Sequence, residues 1–260
     1  MAKCVLMPIE SDTMDDIEME ARDFLYCLKL DFDIDAQLAA IRALLRQHLG
    51  ASRTFDEEIA RLEEHARRVT GVENEWAAEE WSDRVHHSAY LGAAHSMATV
   101  GMLAPLLETL FHESFKRIGA QFFLTSLPAT GHLRWAASGR NLWDCHFYYN
   151  GAKWKKDFSI GVMQLAEATR LSDKLPSTLE QTLSVLFSYR NSMFHNGFEW
   201  PLDERVKFGK RIRCEGWPND WFSTATSGDE PWIFYLSEQY IEQVLDAIGG
   251  FIRDDLIRER

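Results

Sequence analysis

The stretch STLEQTLSVLFSYRNSMFHNG, from Ser177 to Gly197, decides how this chain is read. Ser177-Thr178-Leu179-Glu180 follows Pro176 as a capping box, in which a hydroxyl satisfies an amide left unpaired at a helix start and the glutamate reaches back. Leu179, Leu183, Leu186, Arg190 and Met193 then recur at three and four residues, which puts them on one helical face. Asn196-Gly197 supplies the stop, since glycine takes the left-handed conformation of a helix C-cap without steric cost.

The same period extends in both directions. Upstream it is carried by Phe158, Val162, Leu165 and Thr169, and before that by a long apolar helical pattern from Trp81 to about Gly119, where Pro105 predicts a kink or break. The most apolar window, Ser88 to Phe111, is interrupted by His95, Pro105 and Glu108, which leaves it short of the ~18–20 clean residues of a membrane span. It is expected to be a buried core helix. Three further stripes precede it: Met14, Ile17, Ala21, Phe24, Leu28; then Leu38, Ile41, Leu45, Leu49, ending at Gly50; then Phe55, Ile59, Leu62, Ala66, Val69, between the capping box Thr54/Glu57 and Gly71. A last helix is expected from Ser237, with Ile241, Val244, Ile248 and Ile252 inward. Arg134 to Trp154 has no clean period and stays unassigned. Gly197 to Pro231 is long for a loop, so a functional segment or a short hairpin is expected there. The expected fold is an all-α helical bundle, with an acidic N-terminal helical extension over residues 1–75 and a helical domain over 76–260.

The formal net charge of −12 argues against a protein that coats nucleic acid through a uniformly basic surface. Its distribution is uneven: from Gly131 to Arg213 there are 13 Lys and Arg against 8 Asp and Glu. A basic segment is thus embedded in an acidic chain. Cys4, Cys27, Cys145 and Cys214 show no C-x-x-C pair or regular interval, so reduced thiols in a cytoplasmic protein are expected. MAKCVLMPIESDTMDD has a single basic residue and an apolar stretch too short for a secretion signal, with acidic residues directly after, so neither export nor a membrane partner is expected.

The chemistry-bearing residues lie on the helix quoted above. Asn191 and His195, four residues apart, fall ~40° from each other around the axis, and Arg190 lies ~100° to one side of Asn191. Arg190 sits on the apolar stripe, where a guanidinium needs an anionic partner or a wet cleft. His195 lies in the last turn, where the negative end of the helix dipole favours its protonated form and the ring can project past the helix end.

Arg190-Asn191 followed by His195 resembles the signature of the HEPN (higher eukaryotes and prokaryotes nucleotide-binding) family: arginine, often a polar residue after it, then histidine with four to six residues between. The resemblance implies an α-helical bundle that pairs as a homodimer, so that two motifs meet in one cleft. It also implies a metal-independent endoribonuclease acting on RNA in toxin or antiphage systems, with an antitoxin or regulatory protein as a further partner and no cofactor. His195 would then be the acid or base for attack of the ribose 2′-hydroxyl, Arg190 would stabilise phosphoryl charge, and Asn191 would orient the imidazole or substrate. The rival within the same fold is a non-catalytic module that binds nucleotide, RNA or a protein.

Two other strings compete. Arg42 and His48 fit the spacing but lack the polar neighbour, and Arg140-Asn141…His146 has it but no recognisable helix, so Arg140, Asn141 and His146 are the second-choice catalytic set. A plainer alternative has Arg190 paired with a buried carboxylate such as Glu108 and His195 as an ordinary helix-end residue. Arg205, Lys207, Lys210, Arg211 and Arg213 would suit an RNA backbone, or form a solvated face beside Asp203 and Glu204. Trp217, Trp221, Phe222 and Trp232 could stack on bases but more commonly plug a core. His86, His87, His95 and His112 show no metal-binding spacing, so no metal is expected. No glycine-rich phosphate loop and no Gly-x-Ser-x-Gly elbow occurs.

Overall fold

The computed structural model describes residues 33–125, 131–137, 139, 142–228 and 230–253. The helix expected over Met14 to Leu28 lies outside them, as do Arg140 and Asn141. The described residues are mostly helical, with six α-helices and two small antiparallel hairpins.

Helix α1 (Ile34–Arg68) starts where the Asp33 carboxylate accepts the Ala36 amide at 2.9 Å. The two stripes expected as separate helices are one continuous helix, because Gly50 does not end it. The Thr54 hydroxyl donates back to the Gly50 carbonyl at 3.2 Å, so it serves the helix interior rather than a cap. A mid-helix glycine costs only ~1 kcal/mol, less than two stripes packing on a neighbour contribute. The stop comes at Val69, and Gly71 makes the turn with φ +71°.

Helix α2 (Val72–Thr125) is the central element. It runs unbroken through Pro105, giving up one backbone hydrogen bond there, because packing holds both sides: Val100, Leu103, Ala104, Leu107, Leu110 and Phe111 are all buried. It contains a window long and apolar enough to cross a membrane, of which 44% is buried in this fold. Leu38 and Leu45 of α1 join the same core.

The unassigned stretch holds a short 3₁₀ turn (Leu133–Ala136) and a hairpin of β1 (Phe147–Tyr149) and β2 (Trp154–Lys156). Helix α3 (Phe158–Ala168) is capped by Asp157, which accepts from the Ile160 amide at 3.0 Å. Helix α4 (Leu179–Asn196) carries the decisive stripe, with Leu179, Leu183, Leu186 and Met193 buried. Its expected capping box does not form: Thr178 makes no side-chain cap and instead accepts from Gln243 at 2.9 Å. The stop is as expected, with the Gly197 amide on the Met193 carbonyl at 2.8 Å and φ +73°.

The stretch from Gly197 to Pro231, where a functional segment or a short hairpin is expected, contains helix α5 (Leu202–Cys214) and the first strand of a hairpin, β3 (Phe222–Ser227) with β4 (Glu230–Leu236), in a register that sets Phe222 opposite Leu236. Tyr189 of α4 donates to the Phe234 carbonyl at 2.8 Å and locks that hairpin onto the bundle. Helix α6 (Glu238–Arg253) closes the core, with the Ser237 hydroxyl accepting the Tyr240 amide.

Candidate active site

One residue from each of two sequence motifs, Arg190 and His146, faces the same carboxylate, Glu108. On α4, Arg190 turns toward α2 and donates from Nη1 to Glu108 Oε2 at 3.0 Å. Its guanidinium lies 5.2 Å over the Phe187 ring. Both partners keep 29% of their side-chain surface, so the pair is partly exposed rather than sealed in a dry core. The pairing with Glu108 is the one the plainer reading of the sequence named. Glu108 also faces the loop string, since His146 Nε2 stands 3.9 Å from Oε1.

The loop that carries His146 is fixed from behind. Arg134 is fully buried and spreads its guanidinium over three backbone carbonyls, donating to Leu142 at 2.6 Å, Asp144 at 2.8 Å and Phe147 at 2.7 Å. It also reaches Gln164 Oε1 at 3.0 Å. Burial pulls this guanidinium down to about 10, against the upward pull of Cys145 and Asp144. Two glycines let the loop approach. A Cβ on Gly161 of α3 would stand 2.1 Å from the Cys145 carbonyl oxygen, and one on Gly119 of α2 would meet the Trp143 ring at 2.5 Å.

On that platform Asp144 Oδ1 accepts from the His146 amide at 2.9 Å and contacts His146 Nδ1 at 2.8 Å. His112 of α2 places its Nδ1 4.0 Å from the same oxygen, with the two imidazole rings 5.5 Å apart. Burial pushes the Asp144 carboxyl upward, but the hydrogen bonds from His146 and the attraction of His146 and His112 outweigh it, and the group ends below its ordinary value. Cys145 is wholly enclosed; burial, reinforced by Asp144, pushes its thiol up to about 12. It is no nucleophile at neutral pH.

The other half of the helical motif faces outward. Asn191 and His195 are exposed, and Phe194 beside them keeps 57% of its surface. The five-residue step from Arg190 to His195 turns them ~140° apart around the axis, so one copy of α4 presents arginine and histidine in different directions. Among the second-choice residues, His146 falls near Arg190, and Arg140 and Asn141 lie outside the described residues. The basic residues of α5 are partly committed: Lys207 to Asp203 and Glu204 at 3.1 and 2.7 Å, Arg211 to Glu215 at 2.7 Å, and Arg205 to the Pro231 carbonyl at 2.7 Å. Lys210 and Arg213 are exposed. Trp217 and Trp221 are buried as core plugs, while Trp232 stacks on His86 at 4.5 Å.

Sequence reasoning missed Glu108 as a hub, Arg134 as a scaffold and Asp144 as an orienting group. His112 stands among the histidines the sequence offers, but its neighbours in space lie far from it along the chain, and no spacing rule joins a helix to an irregular loop. No protein-family model matches this chain, and neither does a curated protein or a solved structure at a significant level.

Proposed function

We propose that this chain is a metal-independent endoribonuclease of the HEPN kind, working as a homodimer inside the cell as a toxin or antiphage effector. The observation that carries the reading is the division of labour on α4: Asn191 and His195 stand exposed one turn apart at the helix end, while Glu108 holds Arg190 with its side chain still partly exposed. The exposed Phe194 beside His195 offers an apolar contact for a second copy. Pairing through this end would bring the motifs of two copies together, which a single helix cannot do for Arg190 and His195.

In the cleft that two copies would form, His195 takes the proton from the ribose 2′-hydroxyl as its oxygen bonds to the adjacent phosphorus, and Arg190 steadies the developing charge. The P–O5′ bond breaks to leave a 2′,3′-cyclic phosphate and a 5′-oxygen that takes a proton from water or from the second copy's imidazolium. Arg190 must then exchange Glu108 for a phosphoryl oxygen, which its fork geometry suits. Lys210 and Arg213 supply backbone contacts. A second reading, a non-catalytic helical module, is favoured by the same 3.0 Å ion pair, since an arginine committed to Glu108 serves packing alone. Incubating total RNA in EDTA with the purified protein and with His195→Ala separates the two. Cleavage by the first and not the second supports the nuclease; equal behaviour of both removes it.

A further inference from the structure

We infer that His112, Asp144 and His146, with Cys145 beneath them, form a binding site for a transition-metal cation of the zinc class. This goes beyond the ribonuclease reading and stands or falls independently of it. One ligating atom from each of the four residues lies within 4.8 Å of all the others. Four donors around tetrahedral zinc, at ~2.0–2.3 Å from the ion, stand roughly 3.3–3.8 Å from one another. Closing the cluster therefore asks for side-chain shifts on the order of 1 Å, not for a backbone change.

Three features point to a ligand rather than to a chance grouping. His112 Nδ1 is a buried atom with no hydrogen-bond partner, and the nearest carboxylate oxygen, Asp144 Oδ1, stands at 4.0 Å, beyond hydrogen-bonding reach. A buried ring nitrogen left in that state is costly, and a cation between the two groups would satisfy it. Asp144 and His146 sit on a loop that Arg134, Gly119 and Gly161 hold rigidly in place, the preorganisation a metal site needs. The donor chemistry is selective: two imidazoles and a carboxylate over a buried sulfur suit zinc or cobalt, whereas magnesium and calcium favour oxygen shells.

The cation would clip α2 to the loop before β1, next to the Arg190–Glu108 pair, because His146 Nε2 already stands 3.9 Å from Glu108 Oε1. The test uses the full chain stripped with a chelator and titrated with Co²⁺, then with Zn²⁺ in competition. Expected is one equivalent of Co²⁺ with the visible absorption of a four-coordinate ion, displaced by Zn²⁺. His112→Ala and His146→Ala should each weaken binding by at least ~10-fold, and His86→Ala should not. Thiolate-to-cobalt charge transfer in the near ultraviolet would mark Cys145 as the fourth ligand. No saturable binding, or affinity unchanged in both histidine variants, overturns the site. Should either variant fail to fold, X-ray absorption of the zinc-loaded wild-type chain decides: an imidazole-containing shell supports the site, and an all-oxygen shell overturns it.

Discussion

The loop string ending in His146 and the helical string from Arg190 to His195 share a motif and differ in what holds them. His146 rests on a platform built by a fully buried arginine, two close-approach glycines and an aspartate that binds both its ring and its amide. There His146 Nδ1 is engaged by Asp144, while His112 Nδ1 beside it has no hydrogen-bond partner. Asn191 and His195 ride on the last turns of α4 and are exposed among the described residues. A closed, rigid cluster suits a small ion, and an open pair at a helix end suits a large flexible substrate. Arg190 belongs to both regions, for it leaves the helical string and docks on the Glu108 that His146 also faces.

The contrast breaks most easily at the platform. Arg134→Met leaves three backbone carbonyls without their donor inside the fold, and thermal or urea unfolding should show a loss of ~3–5 kcal/mol. A loss under ~1 kcal/mol would mean that the loop is not held from behind. In Arg190→Ala the nuclease reading expects ~10²-fold slower RNA cleavage, about 2.7 kcal/mol, with only partial recovery in Arg190→Lys because an ammonium cannot grip phosphate bidentately. Full recovery with lysine would make Arg190 a simple countercharge for Glu108.

Gly161→Ala sharpens the comparison from the other side. The new methyl collides with the Cys145 carbonyl, so overpacking should cost ~1–3 kcal/mol and weaken Co²⁺ binding, while a glycine-to-alanine change at exposed Gly50 should stabilise by roughly 0.5–1 kcal/mol. Equal effects at the two sites would remove the case for a clamped loop. The smallest effect is in pH. The Asp144 carboxyl is held below its ordinary value in the fold, so its contribution to stability is present above the unfolded value of ~3.9 and is lost as pH falls through the lower folded one. Wild type should therefore lose stability relative to Asp144→Asn only below about pH 4. A difference that opens instead between pH 5 and 8 would point to the histidines.

Much of this fold was legible because its helices announce themselves locally. The stripe and the Asn196-Gly197 stop located α4 although its capping hydroxyl went to Gln243. Where propensity and packing disagree, packing wins: Gly50 predicts a stop and Pro105 a kink or break, and the apolar stripes on both sides carry the helices through both positions. The hairpin of β3 and β4 answers to the short hairpin expected between Gly197 and Pro231, though neither strand shows a period that would place it, and α5 is hidden there because Gly209 falls inside it while Pro201 and Gly216 flank it. The helical motif was visible as residues, yet its partner Glu108 could be named only as a candidate. The cluster around Asp144 was not visible, since its donors come from a long helix and an irregular loop that only the folded chain brings together.

The most direct measurement is end-group analysis of RNA cut by the purified protein in EDTA, with His195→Ala alongside. The expected result is fragments with 2′,3′-cyclic phosphate and 5′-hydroxyl ends, no cleavage of DNA, and a loss of roughly 10²-fold or more in His195→Ala, because the 2′-hydroxyl is the nucleophile and the histidine moves its proton. Fragments with 3′-hydroxyl and 5′-phosphate ends, a requirement for Mg²⁺, or undiminished cleavage by His195→Ala would contradict it.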